Sequence, residues 1–334
     1  MMDSKSKVIE LLSSHPKGLR QVDIARMLGL SRSRVSEIVK ELEQEGIVER
    51  IKDEGIIRIV LKSPSKYVDK TKRLKLGIIW SSEYPFISVF AKLLRRNLDY
   101  DLKVIVYDNG IDATWDLVVG RIDLALTPLI TQIYYGVLTN RVKIIGGGAF
   151  GGASVFYNPK GPENTTASSK ISTMELCLTK ALKELGVTYD DRKYFDKGND
   201  IVVAIALNKV MYAAVWEPLA LKLRRMGYKE IYSCTELGLC NCCTLASTTY
   251  MDENLVEKIK KIYDKSIELF KKDPNKWLNW YSMKTGIDVT ILRYTIKNYE
   301  YTTIIDVHKN TKLFEEIGIR IPKPSVIKEI VYTQ

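Results

Sequence analysis

The first sixty residues of this 334-residue chain place apolar side chains at helical spacing. Apolar residues recur every three or four positions in three short segments, and this spacing predicts three helices. The positions concerned are Val8, Leu11 and Leu12, then Val22, Ile24, Ala25 and Leu28, then Val35, Ile38, Val39 and Leu42. Gly29 permits a sharp turn before the third segment, and Ser31 is a suitable N-cap for it. Two alternating segments, residues 47–51 and 57–61, flank Lys52-Asp53-Glu54-Gly55, which predicts a β-hairpin with a turn there.

Three helices followed by a hairpin predict a winged helix-turn-helix domain over residues 1–62. The third helix of such a domain reads base edges, because arginine offers a two-pronged donor that guanine accepts, and basic residues of the hairpin contact phosphates. The predicted DNA-contacting residues are Ser31, Arg32, Ser33, Arg34, Ser36 and Lys40 on the helix and Arg50, Lys52 and Arg58 on the hairpin. A protein-docking module of the same fold is the alternative. Residues 18–61 resemble the MarR-like and related archaeal winged-helix families, which implies a double-stranded DNA operator as partner.

From residue 74 the pattern changes to alternating strands and helices. A polar stretch with a proline, residues 63–73, predicts the linker between the two domains. The alternation predicts an α/β fold in which a parallel sheet is covered by helices on both faces, with ligands bound at the carboxyl ends of the strands. The glycines of residues 146–152 predict a loop within this domain.

Several stretches of the larger domain resemble type II periplasmic-binding-protein domains. They are Leu76-Gly77-Ile78-Ile79-Trp80 with Tyr84-Pro85, Val119-Gly120-Arg121-Ile122-Asp123-Leu124-Ala125, Ala213-Ala214-Val215-Trp216-Glu217-Pro218 and Leu237-Gly238-Leu239-Cys240-Asn241-Cys242-Cys243-Thr244. The nearest branch is that of the nitrate, sulfonate and taurine solute-binding proteins and the thiamine-pyrimidine-precursor synthases. The resemblance implies that residues 74–334 form two lobes that close on a small molecule. The implied bounds are about 74–157 and 245–334 for the first lobe, about 158–244 for the second, and hinge strands at 153–158 and 243–250.

The resemblance to the synthases does not extend to their catalytic residues. In that family a lysine carries pyridoxal phosphate, and a histidine four positions later is consumed as a substrate. The matching positions here are Thr127 and Thr131, and the two histidines of the chain are His15 and His308. Threonine cannot form the Schiff base. We therefore predict a ligand-binding protein that is not an enzyme, with a synthase-like enzyme as the weaker alternative.

Aromatic, hydroxyl and acidic side chains are the candidates for contact with that ligand. The predicted ligand-binding residues are Trp80, Tyr84, Thr127, Thr131, Gly147, Ser168, Ser169, Trp216 and Glu217. The two serines precede a predicted helix whose free N–H groups favour an anion, although they can equally serve only as caps. Glu217 either pairs with a ligand amine or begins its helix in favourable alignment with the dipole. Trp216 is as compatible with the core as with the ligand site.

The cysteines offer three alternatives. Cys240, Cys242 and Cys243 fall within four residues, and Cys234 lies six positions before the run. A metal such as iron or copper held by the run, a disulfide that includes Cys234, and small buried side chains all fit this arrangement. We expect Cys177 to be a core residue on a helix face.

The composition of the chain agrees with a DNA-binding protein but does not by itself establish one. The net charge is +11, and residues 1–73 carry 16 Lys and Arg against 11 Asp and Glu, which favours an electrostatic footprint on nucleic acid. The chain has only four glutamines and many Ile, Lys and Glu residues, and this composition resembles that of archaeal thermophile proteins. No signal peptide and no apolar run of 18 residues is visible, so we expect a cytoplasmic protein that does not enter the membrane.

The sequence as a whole predicts a transcriptional regulator. We expect a homodimer that binds operator DNA and senses a small metabolite, possible candidates being a thiamine-pathway pyrimidine or a related anion. A redox or metal sensor that uses the cysteine run is the alternative.

Overall fold

The computed structural model describes residues 4–13, 15, 18–53, 55–61, 72–189, 191–238 and 241–332. Its N-terminal unit contains α1 (Ser4–Ser13), α2 (Gln21–Leu28), α3 (Arg32–Gln44), β1 (Val48–Asp53) and β2 (Ile56–Leu61). The apolar faces predicted from the sequence meet in a separate small core, in which Val8, Ile24 and Val35 are fully buried. This arrangement of three helices and one hairpin is the predicted winged helix-turn-helix.

Local signals in the sequence set the boundaries of these elements. Gly29 ends α2 in the left-handed conformation, with φ of 64°, and the Ser31 hydroxyl accepts a hydrogen bond from the Arg34 backbone N–H at 3.2 Å. The hairpin turn is shorter than predicted. Lys52 lies opposite Ile57 within the ladder, so the strand continues into the segment that was expected to turn.

The larger unit contains eleven strands and eleven α-helices among its described residues. The strands are β3 (Arg73–Ile79), β4 (Asp101–Tyr107), β5 (Leu124–Pro128), β6 (Val142–Gly151), β7 (Ala153–Tyr157), β8 (Thr165–Ser168), β9 (Asp191–Tyr194), β10 (Tyr212–Trp216), β11 (Lys229–Ser233), β12 (Cys243–Thr248) and β13 (Tyr299–Thr302). The helices are α4 (Ile87–Leu98), α5 (Gly110–Val118), α6 (Leu129–Thr139), α7 (Thr173–Glu184), α8 (Gly198–Ala206), α9 (Leu219–Arg225), α10 (Glu253–Lys272), α11 (Leu278–Thr285), α12 (Val289–Thr295), α13 (Val307–Glu316) and α14 (Pro324–Ile330).

The strands form two sheets, and each sheet is the centre of one lobe. The first sheet has six strands in the order β13-β6-β12-β5-β3-β4, and the second has five in the order β11-β7-β10-β8-β9. Strand β3 is parallel to β4 and β5, as predicted, but β12 is antiparallel to β5 and β6. The sheets are therefore mixed and not parallel throughout. Strand β12, which returns from the second lobe, and strand β7, which enters it, are each antiparallel to both of their neighbours.

The predicted lobe boundaries and the glycine-rich loop require correction. Residues 146–151 continue strand β6, and the small residues are needed because a Cβ on Gly148 would lie 2.2 Å from the Cys243 carbonyl oxygen. The chain crosses between the lobes at Gly151 and Gly152, since β7 already belongs to the second sheet. The first lobe thus ends near residue 152 and not at 157. The predicted hinge strand at 243–250 is instead β12, a central strand of the first sheet.

One disulfide joins helix α7 to the turn that follows β11. Cys177 pairs with Cys234, so Cys177 is more than the core residue expected from its helix face. Cys242 and Cys243 are buried free thiols, and Cys240 lies outside the described residues. Among the described residues, no α-helix combines the length and the apolar character that spanning a bilayer requires.

Candidate functional sites: the recognition helix and the interlobe cavity

Helix α3 presents its polar face to solvent along its whole length. The six predicted DNA-contacting residues of this segment are all exposed: Ser31, Arg32, Ser33, Arg34, Ser36 and Lys40. The opposite face buries four apolar side chains against α1, α2 and the hairpin. Arg34 forms an ion pair with Glu37 at 3.1 Å, which is an exposed i,i+3 pair that a phosphate or a base can replace at little cost.

The hairpin adds positive charge beside this helix. Arg50 and Lys52 are exposed on β1, and the Arg50 Nε lies 3.1 Å from a carboxylate oxygen of Glu43 on α3. Arg58 on β2 is half-buried. The three basic side chains of the predicted hairpin contacts are thus not equivalent, since Lys52 is exposed, Arg50 is paired and Arg58 is partly covered.

A cavity of about 40 Å³ lies between the two lobes. One water needs about 10–15 Å³ on the same measure, so the cavity has room for a few water-sized groups. Polar side chains that line it include Glu83, Tyr84, Asn109, Cys242, Cys243 and Tyr299 from the first lobe and Ser169, Lys170, Ser172, Thr173 and Trp216 from the second.

Hydrogen bonds between the lobes close this cavity. The Trp216 indole N–H donates to the Trp80 carbonyl oxygen at 2.8 Å, and the Ser82 backbone N–H donates to the Glu217 carbonyl oxygen at 3.0 Å. The Thr131 hydroxyl donates to the Ile171 carbonyl oxygen at 2.5 Å. The structure is therefore a closed form, and a ligand larger than the cavity requires the lobes to separate.

The structure places only some of the predicted ligand residues in the cavity wall. Tyr84, Ser169 and Trp216 line it. The others lie outside the cavity wall: Trp80, Thr127, Thr131, Gly147, Ser168 and Glu217. Gly147 packs against the backbone of residues 302 and 303, where a Cβ would clash.

Glu217 has protein partners for both carboxylate oxygens. Its Oε1 lies 2.5 Å from an Arg224 guanidinium nitrogen and accepts from the Asn298 amide at 2.8 Å, while its Oε2 accepts from the Leu221 backbone N–H at 3.0 Å. Glu217 is fully buried and precedes α9, which begins at residue 219. The carboxylate therefore connects the second lobe to Asn298 beside the first sheet. Its bond to the Leu221 N–H also places it at the start of α9, which is one of the two roles predicted for it.

Thr127 likewise belongs to an internal network. Its hydroxyl accepts from Thr114 at 2.9 Å and from the Gln132 amide at 3.0 Å, and Gln132 also donates to the Thr244 carbonyl oxygen. All four side chains are buried. The network connects β5 to α5, α6 and β12.

The second-lobe wall of the cavity is suited to an anion. Ser172 caps the twelve-residue helix α7 by accepting from the Glu175 backbone N–H, and it lies 2.8 Å from the Ser169 hydroxyl. Lys170 and Thr173 line the cavity beside this helix start. The first N–H groups of a helix have no intrahelical acceptor and favour negative charge.

The first-lobe wall has the opposite chemistry. Burial raises the pKa of the Glu83 carboxyl well above its usual range, and the adjacent Cys242 adds to this shift. Burial also raises the pKa of the Cys243 thiol, whereas the hydrogen bond with Cys243 lowers the pKa of Cys242. The Tyr84 hydroxyl donates to the Cys243 sulfur at 3.0 Å. Acidic groups that point at one another in this way favour a positively charged occupant.

Sequence reasoning missed Glu83 and Lys170, the two charged residues of the cavity. A signal for Glu83 was present, because it is the only charged residue between Leu76 and Ala91. A carboxylate inside such an apolar run is either buried or functional. No comparable signal distinguished Lys170 from the many other lysines of the chain.

The two units are similar to different groups of known proteins. Residues 4–55 match the model of the MarR family. The chain is 27% identical over 97 residues to the HTH-type transcriptional regulator Rv1719 of Mycobacterium tuberculosis, a match that covers 29% of this chain and 36% of that protein. The chain thus spans about a third of the length of the curated relative it matches.

The larger unit is similar in structure to several solved binding proteins. The ligand-binding component of an ABC-type import system from Staphylococcus aureus, solved with zinc bound, has a TM-score of 0.65 at 18% identity, covering 78% of this chain and 99% of that one. The alkanesulfonate-binding protein SsuA from Xanthomonas axonopodis pv. citri, bound to MOPS, has a TM-score of 0.62 at 16% identity, covering 78% and 98%. These likenesses show the fold alone.

The comparisons confirm the two predicted architectures. Residues 4–55 match the MarR family model and fold as a winged helix-turn-helix, and the larger unit shares the two-lobed fold of the SsuA binding proteins. The resemblance to the thiamine-precursor synthases stays a prediction.

Proposed function

We propose that this protein is a transcriptional regulator that binds operator DNA through α3 and senses a small anion in the interlobe cavity. The observation that carries the proposal is the pairing of two units in one chain. Helix α3, which lies in the segment that matches the MarR family model and has an exposed polar face, precedes a two-lobed domain with a cavity between its lobes. Binding of a ligand that prefers one lobe arrangement shifts the population of that arrangement, and a coupled DNA domain then changes its operator affinity.

The chemistry of the second-lobe wall supports an anionic effector. Two buried serines, the start of α7 and the exposed Lys170 line one side of the cavity. SsuA, which shares the fold, was solved with the sulfonate MOPS bound. We therefore propose a sulfonate or phosphate group as the part of the effector that α7 recognises. A phosphorylated thiamine-pathway pyrimidine is one compound of this class.

We further propose that the protein acts as a homodimer in the cytoplasm and without catalysis. Two recognition helices related by a dyad would read half-sites about 34 Å apart. Thr127 is engaged with Thr114 and Gln132, so it does not face the cavity where a cofactor would react. Sedimentation analysis of the full chain tests the dimer, with a monomer at micromolar concentration as the contrary result.

Selection of DNA fragments from a random library by the full chain tests the DNA-binding part of the proposal. We expect a sequence motif with two related half-sites, and we expect the Arg32→Ala/Arg34→Ala variant to lose it. Enrichment of no motif, or of the same motif by the double variant, would contradict the proposal. Isothermal titration with MOPS, inorganic phosphate and hydroxymethylpyrimidine phosphate tests the effector part. If none of these three compounds binds, the proposal of an anionic effector is wrong.

A further inference from the structure

The first-lobe wall of the cavity brings together three side chains that ligate metals. The Glu83 carboxylate and the thiols of Cys242 and Cys243 each offer one atom, and these atoms all lie within 4.8 Å of one another. All three residues are buried. They come from distant parts of the chain, since Glu83 follows β3 and the two cysteines lie where β12 begins.

The spacing of the two sulfurs suits one tetrahedral ion. Cys242 Sγ and Cys243 Sγ lie 4.0 Å apart, which excludes a bond between them. Zinc–sulfur bonds of about 2.3 Å at a tetrahedral angle place two sulfurs about 3.8 Å apart. The two thiols therefore need to move by only a few tenths of an ångström to bind the same ion.

Glu83 gives a second and independent indication. Its Oε1 is buried and has no hydrogen-bond partner among the described residues, and the side chain lines the cavity. A buried polar atom without a partner is costly, and a bound cation would satisfy it. The Tyr84 hydroxyl meanwhile donates to Cys243, as an outer partner that orients a metal-binding thiolate does.

We propose that Glu83, Cys242 and Cys243 bind one divalent cation of the zinc class, with a fourth coordination position open to the cavity. Two thiolates and one carboxylate prefer zinc or a similar thiophilic ion over magnesium or calcium. Three protein ligands with an open fourth position are the arrangement that zinc adopts where it also contacts a small molecule. The metal site expected from the sequence shares Cys242 and Cys243 with this one. Glu83 is the added ligand, and Cys240 lies outside the described residues.

Cobalt substitution of the full chain tests the site without any variant. Protein made metal-free by dialysis against a chelator is titrated with Co²⁺, and near-ultraviolet absorption records sulfur-to-cobalt charge transfer. We expect saturation at one Co²⁺ per chain, displacement by Zn²⁺ and no displacement by Mg²⁺. Absence of the charge-transfer band would overturn the proposal, as would alkylation mass spectrometry that shows Cys242 and Cys243 joined in the purified protein.

Variants then assign the ligands by competition of Zn²⁺ with a chromophoric chelator. We expect Cys242→Ser and Cys243→Ser each to weaken Zn²⁺ binding by at least about 100-fold, and Tyr84→Phe to weaken it by about 10-fold as an outer partner. Glu83→Gln should weaken Zn²⁺ binding by a factor between these two values. Two controls should keep full affinity: the exposed Glu163→Gln and the Cys177→Ser/Cys234→Ser pair, which removes the disulfide.

Circular dichroism accompanies each variant, and equal Zn²⁺ affinity in a folded Cys242→Ser/Cys243→Ser variant would overturn the proposal. If the variants fail to fold, the spectrum of the wild-type chain still decides the question. The metal is measured without DNA and without an anion, so the proposal stands or falls separately from the proposed function.

Discussion

Helix α3 and the interlobe cavity differ in where their polar side chains lie. On α3 the residues proposed to contact DNA are exposed and the apolar residues beneath them maintain the fold, so the two tasks fall on different positions. Around the cavity most polar residues are buried, and the Trp216 and Thr173 side chains also donate hydrogen bonds to the first lobe. Function and stability should therefore separate in the first region and be linked in the second.

Glu217→Ala should have the largest effect, and it should act on stability. The change removes a buried carboxylate that serves Arg224, Asn298 and the start of α9. We expect the free energy of unfolding to fall by about 2–4 kcal/mol, below the value for a fully buried pair because Arg224 is partly exposed and keeps Glu230.

Chemical denaturation measures this change, with the exposed Glu163→Ala as the matched control. The control should stay within about 0.5 kcal/mol of wild type. A wild-type free energy of unfolding in Glu217→Ala would mean that the buried polar network beside the cavity does not contribute to stability in the way we describe.

Arg32→Ala should show the reverse behaviour. Arg32 is exposed at the start of α3, and its loss should weaken binding to selected DNA by about 1–3 kcal/mol while relaxing base preference at one position. The free energy of unfolding should not change by more than about 0.5 kcal/mol. Fluorescence anisotropy at fixed salt measures the affinity, and Arg96→Ala on α4 is the matched arginine control. An equal loss of affinity in both variants would mean that only net charge matters.

The two N-cap serines allow the same substitution in both regions. Ser31 caps α3 and Ser172 caps α7, each by accepting a backbone N–H. Ser31→Ala and Ser172→Ala should each lower the free energy of unfolding by about 1 kcal/mol. Only the first should weaken DNA binding, and only the second should weaken anion binding in a titration with phosphate. If either variant affected both ligands equally, the proposed division of tasks would be wrong.

Lys52→Ala should have the smallest effect. Lys52 is exposed on the hairpin, where it would contact one phosphate. Affinity for specific and unrelated DNA should fall by the same factor, and the slope of log affinity against log salt should become shallower by about 0.9. An unchanged slope would remove the hairpin from the interface.

The same contrast explains what the sequence could predict. The elements of the N-terminal unit follow from local signals, since periodic apolar residues, Gly29 and Ser31 act within a few positions of one another. The alternation of strands and helices in the larger unit follows from local periodicity in the same way. The prediction of a loop at residues 146–151 was wrong. The glycines are needed there because the backbone of strands distant in the sequence packs closely against them.

The cavity depends on such distant contacts. Thr127 and Glu217 were expected to face a ligand, but each has partners that the sequence does not reveal, Thr114 and Gln132 for the first and Arg224 and Asn298 for the second. The pairing of Cys177 with Cys234 across 57 positions is a further example. Residue type identified candidates for the site, and only the lobe arrangement selects among them.

The affinity for selected DNA in the presence of an effector tests the central claim, that the cavity controls the recognition helix. Fluorescence anisotropy is recorded with increasing MOPS, phosphate or hydroxymethylpyrimidine phosphate, for wild type and for Ser169→Leu, which adds bulk at the cavity wall. We predict that at least one of these anions changes the dissociation constant of wild type by about 5-fold or more and leaves that of Ser169→Leu unchanged. An anion that binds the cavity without changing DNA affinity, or that changes it equally in both proteins, would contradict the account.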